Sequence, residues 1–119
     1  MKTKKDLKEE YKKIIHPKGV FKISNLINGK IFVSSSPNLD SKWNSQKMQL
    51  NAKTHPNFDL QKDWDEFGEN NFVYEIVDTI DLKDSEPKKN YSADIKELEE
   101  MYLEELQPFD EKGYNKRKK

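Results

Sequence analysis

The chain has 119 residues, of which 33% are hydrophobic and 37% charged, so it suits one domain with a small core rich in aromatic residues. It contains no cysteine, which excludes disulfides, thiolate metal sites and cysteine nucleophiles. The N terminus is charged and no apolar run approaches the ~20 residues of a membrane helix, so we expect neither a signal peptide nor a membrane span, and a cytoplasmic protein.

The formal net charge is zero, with 22 basic and 22 acidic residues, whereas a dedicated nucleic-acid-binding domain usually carries a basic excess. The basic charge is concentrated at the two ends of the chain, in Lys2, Lys4, Lys5, Lys8, Lys12 and Lys13 and again in Lys112, Lys116, Arg117, Lys118 and Lys119. Solubility explains these clusters first, and contact with phosphate groups is the alternative.

The first predicted element is an amphipathic helix over residues 3–15, which ends before Pro17. Its apolar face consists of Leu7, Tyr11, Ile14 and Ile15. A β-hairpin follows, because two runs rich in β-branched and aromatic residues, 20–23 and 31–33, are joined through Asn28-Gly29. Asparagine and glycine tolerate the positive φ of a tight turn, so this pair is a strong hairpin signal.

Two helices are predicted after the hairpin. A polar break at residues 34–38 supplies the N-cap of the first, whose thin apolar stripe includes Leu39, Trp43 and Leu50. The loop His55-Pro56-Asn57 separates it from the second. That helix carries apolar residues at i, i+4 and i+7 and stops at a glycine, in the order Leu60, Trp64, Phe67 and Gly68.

A third strand is predicted over residues 72–77, followed by a charged loop over 78–90. The last helix starts near Ser92 or Asp94 and ends before Pro108. The order of elements implies an α/β chain of the α+β type, with a small three-stranded, mainly antiparallel sheet flanked by helices. We expect residues 1–18 to form an N-terminal helical extension, 19–115 the domain, and 116–119 a disordered basic tail.

The hairpin resembles that of the GIY-YIG nuclease superfamily. Gly19-Val20-Phe21, ten residues, and then Phe32-Val33-Ser34 correspond to the family's Gly-Ile-Tyr and Tyr-Ile-Gly. The resemblance continues in type and order through Asn38–Trp43, His55–Gln61, Phe67–Phe72, Glu97–Leu103 and the closing Gly113-Tyr114-Asn115, and it covers about residues 19–115.

This resemblance implies hydrolysis of DNA phosphodiester bonds. The family uses a water nucleophile, one divalent metal such as Mg²⁺ or Mn²⁺, a tyrosine that helps deprotonate the water, and a basic side chain that steadies the phosphate. The resemblance assigns the metal to Glu99. It also assigns His55 to a histidine near the site of some members, and Asn115 to the asparagine of the closing motif.

Most of the other site positions depart from the family pattern. Phenyl rings at Phe21 and Phe32 replace the two tyrosines, and a phenyl ring neither accepts a proton nor binds water. Ser34 replaces the glycine of the second motif. Lys42 replaces an arginine and cannot grip a phosphate with two parallel hydrogen bonds. Gln46 stands where some members carry a histidine.

Simple structural roles compete with these assignments. Glu99 lies in an acidic helix, where one glutamate at that place arises easily by chance, and a single carboxylate is a poor Mg²⁺ site without phosphate and water. His55 precedes a proline and is most simply a loop or capping residue.

Three hypotheses follow for function. The first is a GIY-YIG-like domain with impaired catalysis, uncertain as an enzyme, that binds nucleic acid or protein. The second is an active metal-dependent DNA endonuclease with a rewired site, in which His55 is the base, Lys42 contacts the phosphate and Glu99 holds the metal. The third is an interaction protein without nucleic-acid contact.

Overall fold

The computed structural model describes residues 17–80 and 91–116. The helix predicted over residues 3–15, most of the charged loop before the last helix, and residues 117–119 of the predicted tail at 116–119 lie outside the described residues. The elements are β1 (Gly19–Asn25), β2 (Ile31–Ser36), α1 (Leu39–Asn51), α2 (Phe58–Phe67), a short 3₁₀ turn (Glu69–Asn71), β3 (Phe72–Thr79) and α3 (Ser92–Leu106). Within these ranges the predicted order of strands and helices is confirmed.

The hairpin turn closes as its sequence predicts. The Asn25 N–H donates to the Lys30 carbonyl at 2.9 Å, and the Gly29 N–H donates back to the Asn25 carbonyl at 2.8 Å. Gly29 adopts a φ of +78°, which glycine reaches at no steric cost because it has no Cβ. The Asn28 side chain accepts from the Lys30 N–H, so the turn uses both residues of the Asn-Gly pair.

β1 is the central strand of the sheet, whose order is β2-β1-β3 with both pairings antiparallel. β3 runs two residues further than the sequence indicates, since Asp78 and Thr79 pair with Val20 and Gly19. Thus the first two residues of the predicted charged loop belong to the strand, because β1 offers them ladder partners.

One face of the sheet carries the main core. Its buried members come from β1, β3, α1, α2 and the C-terminal segment, and they are Phe21, Ile23, Leu39, Leu50, Leu60, Trp64, Phe72 and Tyr114. Side chains alternate along a strand, so Val20 and Val33, which are also buried, point to the opposite face. The first turns of α3 bring Ile95, buried as well, to that second layer.

Asparagines begin the two helices that cover the main core. The Asn38 side chain accepts from the Ser41 N–H at 3.3 Å, and the Asn57 side chain accepts from the Leu60 N–H at 3.0 Å. Each cap satisfies one of the N–H groups that a helix start leaves free. α2 ends at Gly68, with φ of +88°. No helix in the described part of the chain is long and apolar enough to cross a membrane.

Candidate active site

A group of rings packs together between the sheet and α1. We call this group the ring face, and its members are Phe21, Phe32, Tyr74, Trp43 and the His55 imidazole. Phe21 packs edge-on against Phe32, with the ring centroids 6.3 Å apart, and stacks on Tyr74 at 5.2 Å. Tyr74 in turn stacks on Trp43 of α1 at 5.4 Å. Phe21 has no exposed surface. Both positions where the family has tyrosine therefore hold rings that pack against other rings.

Cross-strand register explains why these rings meet. Phe32 lies opposite Ile23, and Tyr74 lies opposite Ile23 from the other side, so both share the face that Ile23 presents to the core. Phe21 lies opposite Ser34. Ser34 is half-buried. The ladder therefore places Ser34, at the position of the family's glycine, beside Phe21, at the position of the family's first tyrosine.

His55 is held by hydrogen bonds at both ring nitrogens. Its Nδ1 accepts from the backbone N–H of Asn57 at 3.0 Å, and its Nε2 lies 2.5 Å from the Oε1 of Gln46. Since a glutamine oxygen only accepts, Nε2 carries the proton and donates. The ring also packs edge-on against Phe32, with centroids 5.7 Å apart. The imidazole therefore has no lone pair left for a water molecule.

Two residues of α1 that the resemblance assigns to the site, Lys42 and Gln46, affect His55. Gln46 lies one helical turn after Lys42 and is itself buried. Burial lowers the pKa of His55 from its ordinary value, and the positive charge of Lys42 lowers it further. Gln46 therefore contacts His55 directly, and Lys42 acts on it through its charge. The histidine is neutral.

Gln61 of α2 secures the loop that carries His55. Its Oε1 accepts from the His55 backbone N–H at 3.2 Å, and its Nε2 donates to the Leu50 carbonyl at 2.8 Å. A second Nε2 bond reaches Asp65. The loop between α1 and α2 is therefore tied to both helices. His55 itself accepts from the backbone N–H of Asn57, the residue that caps α2.

The closing segment, Gly113–Asn115, is fastened to the free edge of β2. Asn115 donates from Nδ2 to the Val33 carbonyl at 2.7 Å and accepts at Oδ1 from the Val33 N–H at 2.8 Å. The Tyr114 N–H donates to the Ile31 carbonyl at 2.9 Å, and the Ile31 N–H donates to the Lys112 carbonyl at 3.1 Å. The side-chain amide of Asn115 therefore completes the ladder of an edge strand.

Tyr114 anchors the same segment in the core. Its hydroxyl donates to the Oδ2 of Asp63 at 2.7 Å and accepts from the Nδ2 of Asn25 at 2.9 Å. Burial, followed by the bond to Asp63, raises the pKa of Tyr114 above its ordinary value. Asn28 of the hairpin turn donates to the same Asp63 oxygen. This phenol connects the hairpin, α2 and the C-terminal segment, and it is engaged on both sides.

Glu99, the predicted metal ligand, is half-buried on α3. In residues 17–80 and 91–116, no three His, Cys, Asp or Glu side chains lie close enough together to hold a metal ion. Glu99 is thus a single carboxylate donor. Mg²⁺ bound to one carboxylate completes its shell with water and phosphate oxygens, so the described residues do not by themselves make a metal site.

Sequence reasoning passed over Tyr74, because it stands at no motif position. The structure stacks its ring on Phe21, and its hydroxyl donates to the Leu39 carbonyl at 2.9 Å. Burial and the nearby Asp40 raise the pKa of Tyr74 to about 12. The available signal was the alternation of β3, in which Phe72 and Tyr74 must share one face. Gln61 carried no comparable signal, because its contacts depend on the loop.

Two solved structures are similar to this chain. The first is the catalytic domain of homing endonuclease I-TevI, with 25% sequence identity and a TM-score of 0.69, covering 85% of this chain and 99% of the other. The second is a mutant of the catalytic domain of intron endonuclease I-TevI, with 26% identity and a TM-score of 0.68, covering 83% and 92%. No protein-family model and no curated protein matches the chain. The resemblance indicated by the hairpin is confirmed at the level of fold: the chain has the α+β fold of the GIY-YIG catalytic domain.

Proposed function

We propose that this domain binds nucleic acid through a GIY-YIG-like scaffold and lacks efficient phosphodiester hydrolysis. The observation that carries the proposal is Phe21, a fully buried phenyl ring at the first tyrosine position. It offers no group that takes a proton from water. General-base assistance contributes typically 10²–10⁴ in rate, so its loss alone leaves slow chemistry.

The neighbouring groups do not replace that base. The Tyr74 hydroxyl donates to the Leu39 carbonyl, and burial raises its pKa to about 12, so a phenolate that could take a proton from water forms less readily than on an ordinary tyrosine. His55 is neutral, as a base must be, and this favours the rewired endonuclease as the second candidate. Its only lone pair, however, accepts the Asn57 N–H. Lys42 offers a point charge where the family has a bidentate guanidinium.

Nicking of supercoiled plasmid tests the loss of hydrolysis. The full chain is incubated with the plasmid in Mg²⁺ and separately in Mn²⁺, beside the I-TevI catalytic domain as a positive control. We expect no nicking above background. Nicking that is lost in Glu99→Ala and kept in Glu97→Ala would overturn this part of the proposal, since Glu97 is an exposed glutamate two residues earlier on the same helix.

Retention of the chain on immobilised DNA tests the binding role. Contact with phosphates releases counterions, so retention should weaken steeply as salt increases. A chain that fails to bind DNA even at low salt would instead support the interaction protein without nucleic-acid contact, a class that the zero net charge favours. In that case the scaffold would present its surfaces to another protein.

A further inference from the structure

Asn28, at the tip of the hairpin, is the one asparagine in the sequence that a glycine follows. Both Asn28 and Gly29 are exposed. The residue after an asparagine normally carries a Cβ that crowds its own backbone nitrogen, and glycine has none. The space around Gly29 is also open, since a Cβ built there would meet nothing within 4 Å. The backbone nitrogen of Gly29 is therefore sterically accessible to the Asn28 side-chain amide.

Three hydrogen bonds hold this pair of residues. The Oδ1 of Asn28 accepts from the Lys30 N–H at 2.9 Å, and its Nδ2 donates to the Oδ2 of Asp63 at 3.1 Å. The bond at Oδ1 draws electron density from the amide carbon, Cγ, as a donor in an oxyanion hole does. The Gly29 N–H donates to the Asn25 carbonyl at 2.8 Å, so the turn must open at this bond before the nitrogen can attack Cγ.

The other exposed asparagines of the described residues lie in helical structure. They are Asn44 and Asn51 in α1 and Asn70 in the 3₁₀ turn. A helix holds the N–H groups of its interior in backbone hydrogen bonds, so the nitrogen that follows such an asparagine is kept from its side chain. Asn44 precedes Ser45, which is also a small residue. Asn44 is therefore an internal comparison for Asn28, with a helix in place of a turn.

We propose that Asn28 is a site of deamidation through a succinimide, and that the carboxylate formed there weakens the contact between the hairpin and α2. The Gly29 nitrogen forms a bond to Cγ of Asn28, the bond between Cγ and Nδ2 breaks, and ammonia leaves with the proton of the Gly29 N–H. Water, the only other reactant, then opens the ring at either carbonyl and gives aspartate or isoaspartate.

The new carboxylate faces another carboxylate. Asp63 accepts from the Tyr114 hydroxyl at 2.7 Å as well as from Asn28. Deamidation removes the Nδ2 donor and places a negative charge beside Asp63, where like charges repel. Burial, followed by the bond to Asp63, raises the pKa of Tyr114, and the Asn28 amide lowers it. A change at the exposed turn therefore reaches the phenol that anchors the closing segment.

Peptide mapping by mass spectrometry tests the site. The full chain is incubated at mildly alkaline pH, in buffer and in urea. We expect aspartate and isoaspartate at Asn28 before any product at Asn44, and faster in urea, where the Gly29 N–H is released from the Asn25 carbonyl. Gly29→Ala should slow the reaction in urea, because its Cβ shields the nitrogen. The site is overturned if Asn28 stays unmodified in both solutions, or if Asn44 reacts first in the folded chain.

The effect of the new charge is tested with a variant that carries it from the start. Asn28→Asp should lower the folding equilibrium constant about tenfold, measured by urea denaturation. In the Asp63→Asn background the same substitution should change it less than about twofold, since residue 63 then has no charge and its amide can donate. Asn44→Asp is the matched control on α1 and should also change it less than about twofold.

Two outcomes of the denaturation series contradict the coupling. Asn28→Asp could be as stable as the wild type, or it could lose the same stability with and without the Asp63 charge. Circular dichroism of each variant confirms that it is folded. These results are independent of plasmid nicking and of DNA retention, because none of the substitutions lies on the ring face.

Discussion

The closing segment and the ring face use their side chains in opposite ways. In the closing segment, Tyr114 and Asn115 match the residues of the family motif, and their side chains are bonded to backbone or to buried and half-buried side chains. On the ring face, Phe21 and Phe32 keep the aromatic shape of the family residues without their hydroxyls. The comparison shows that this chain keeps the motif residues that hold the fold together. The tyrosine hydroxyls that would transfer protons are absent, and the phenyl rings in their place only pack.

The largest effect should come from Gly113, where the closing segment approaches the β2 edge most tightly. A Cβ at this position would lie 2.4 Å from the Pro108 carbonyl oxygen and 2.5 Å from the Ile31 carbonyl oxygen, both backbone atoms. We expect Gly113→Ala to lower the free energy of unfolding by about 3 kcal/mol, measured by urea denaturation.

Gly29→Ala is the matched control for that variant. Its Cβ meets nothing within 4 Å, and the cost comes only from its φ of +78°, so we expect about 1 kcal/mol. If the two alanine variants were equally stable, close approach of the closing segment to β2 would not be what fixes Gly113.

The next effect concerns the buried phenol of the closing segment. Tyr114→Phe removes the donor to Asp63 and the acceptor for Asn25. The buried Nδ2 of Asn25 loses its partner, while the half-buried Asp63 keeps its bond from Asn28. We expect a loss of about 2 kcal/mol in the free energy of unfolding. Tyr102→Phe removes the hydroxyl that donates to Asp78 at a more exposed place. It should lower the free energy of unfolding by clearly less. Equal losses would contradict the special role of Tyr114.

The stability of the protein should depend on pH through His55 of the ring face. The pKa of His55 is lowered in the folded state by burial and by Lys42, so the unfolded chain binds the proton more readily. The stability contributed by neutral His55 is complete above the ordinary pKa of 6.5 and is lost as the pH falls below that value towards the folded pKa. We expect the chain to be more stable at pH 7.5 than at pH 5.5, by urea denaturation.

His55→Gln isolates this contribution from the carboxylates that titrate in both proteins. The difference in unfolding free energy between the two pH values should be smaller in the variant. If the difference were the same in the two proteins, the pKa of His55 would not change on folding. The hydrogen bonds at its two ring nitrogens would then not hold the imidazole in its neutral form.

The smallest effect should be at the exposed ion pair between Lys116 and Asp59. Lys116→Gln breaks an ion pair with Asp59 between two exposed side chains. Such pairs contribute little in water, so we expect a change below about 0.5 kcal/mol in the free energy of unfolding. A larger loss would show that Lys116 supports the closing segment.

Local chemistry determined much of this protein in advance. The Asn28-Gly29 turn, the asparagine at Asn38 and the stop at Gly68 all lie where the sequence indicates, because turns and caps depend on a few adjacent residues. The hairpin spacing and the closing motif were sufficient to predict the GIY-YIG-like fold. The replacement of tyrosines by phenylalanines was also visible directly, as was the loss of their proton chemistry.

Only the tertiary structure decided how those residues meet. That Tyr74 stacks on Phe21 depends on strand register, and that Gln46 meets the Nε2 of His55 depends on where α1 and the following loop converge. Asn115 completes the β2 ladder across 82 positions of sequence. Contacts of this range are set by packing of the whole chain. For that reason the sequence determined which side chains are present on the ring face. The fold determined that the polar groups of Tyr74 and His55 are already hydrogen-bonded within the protein.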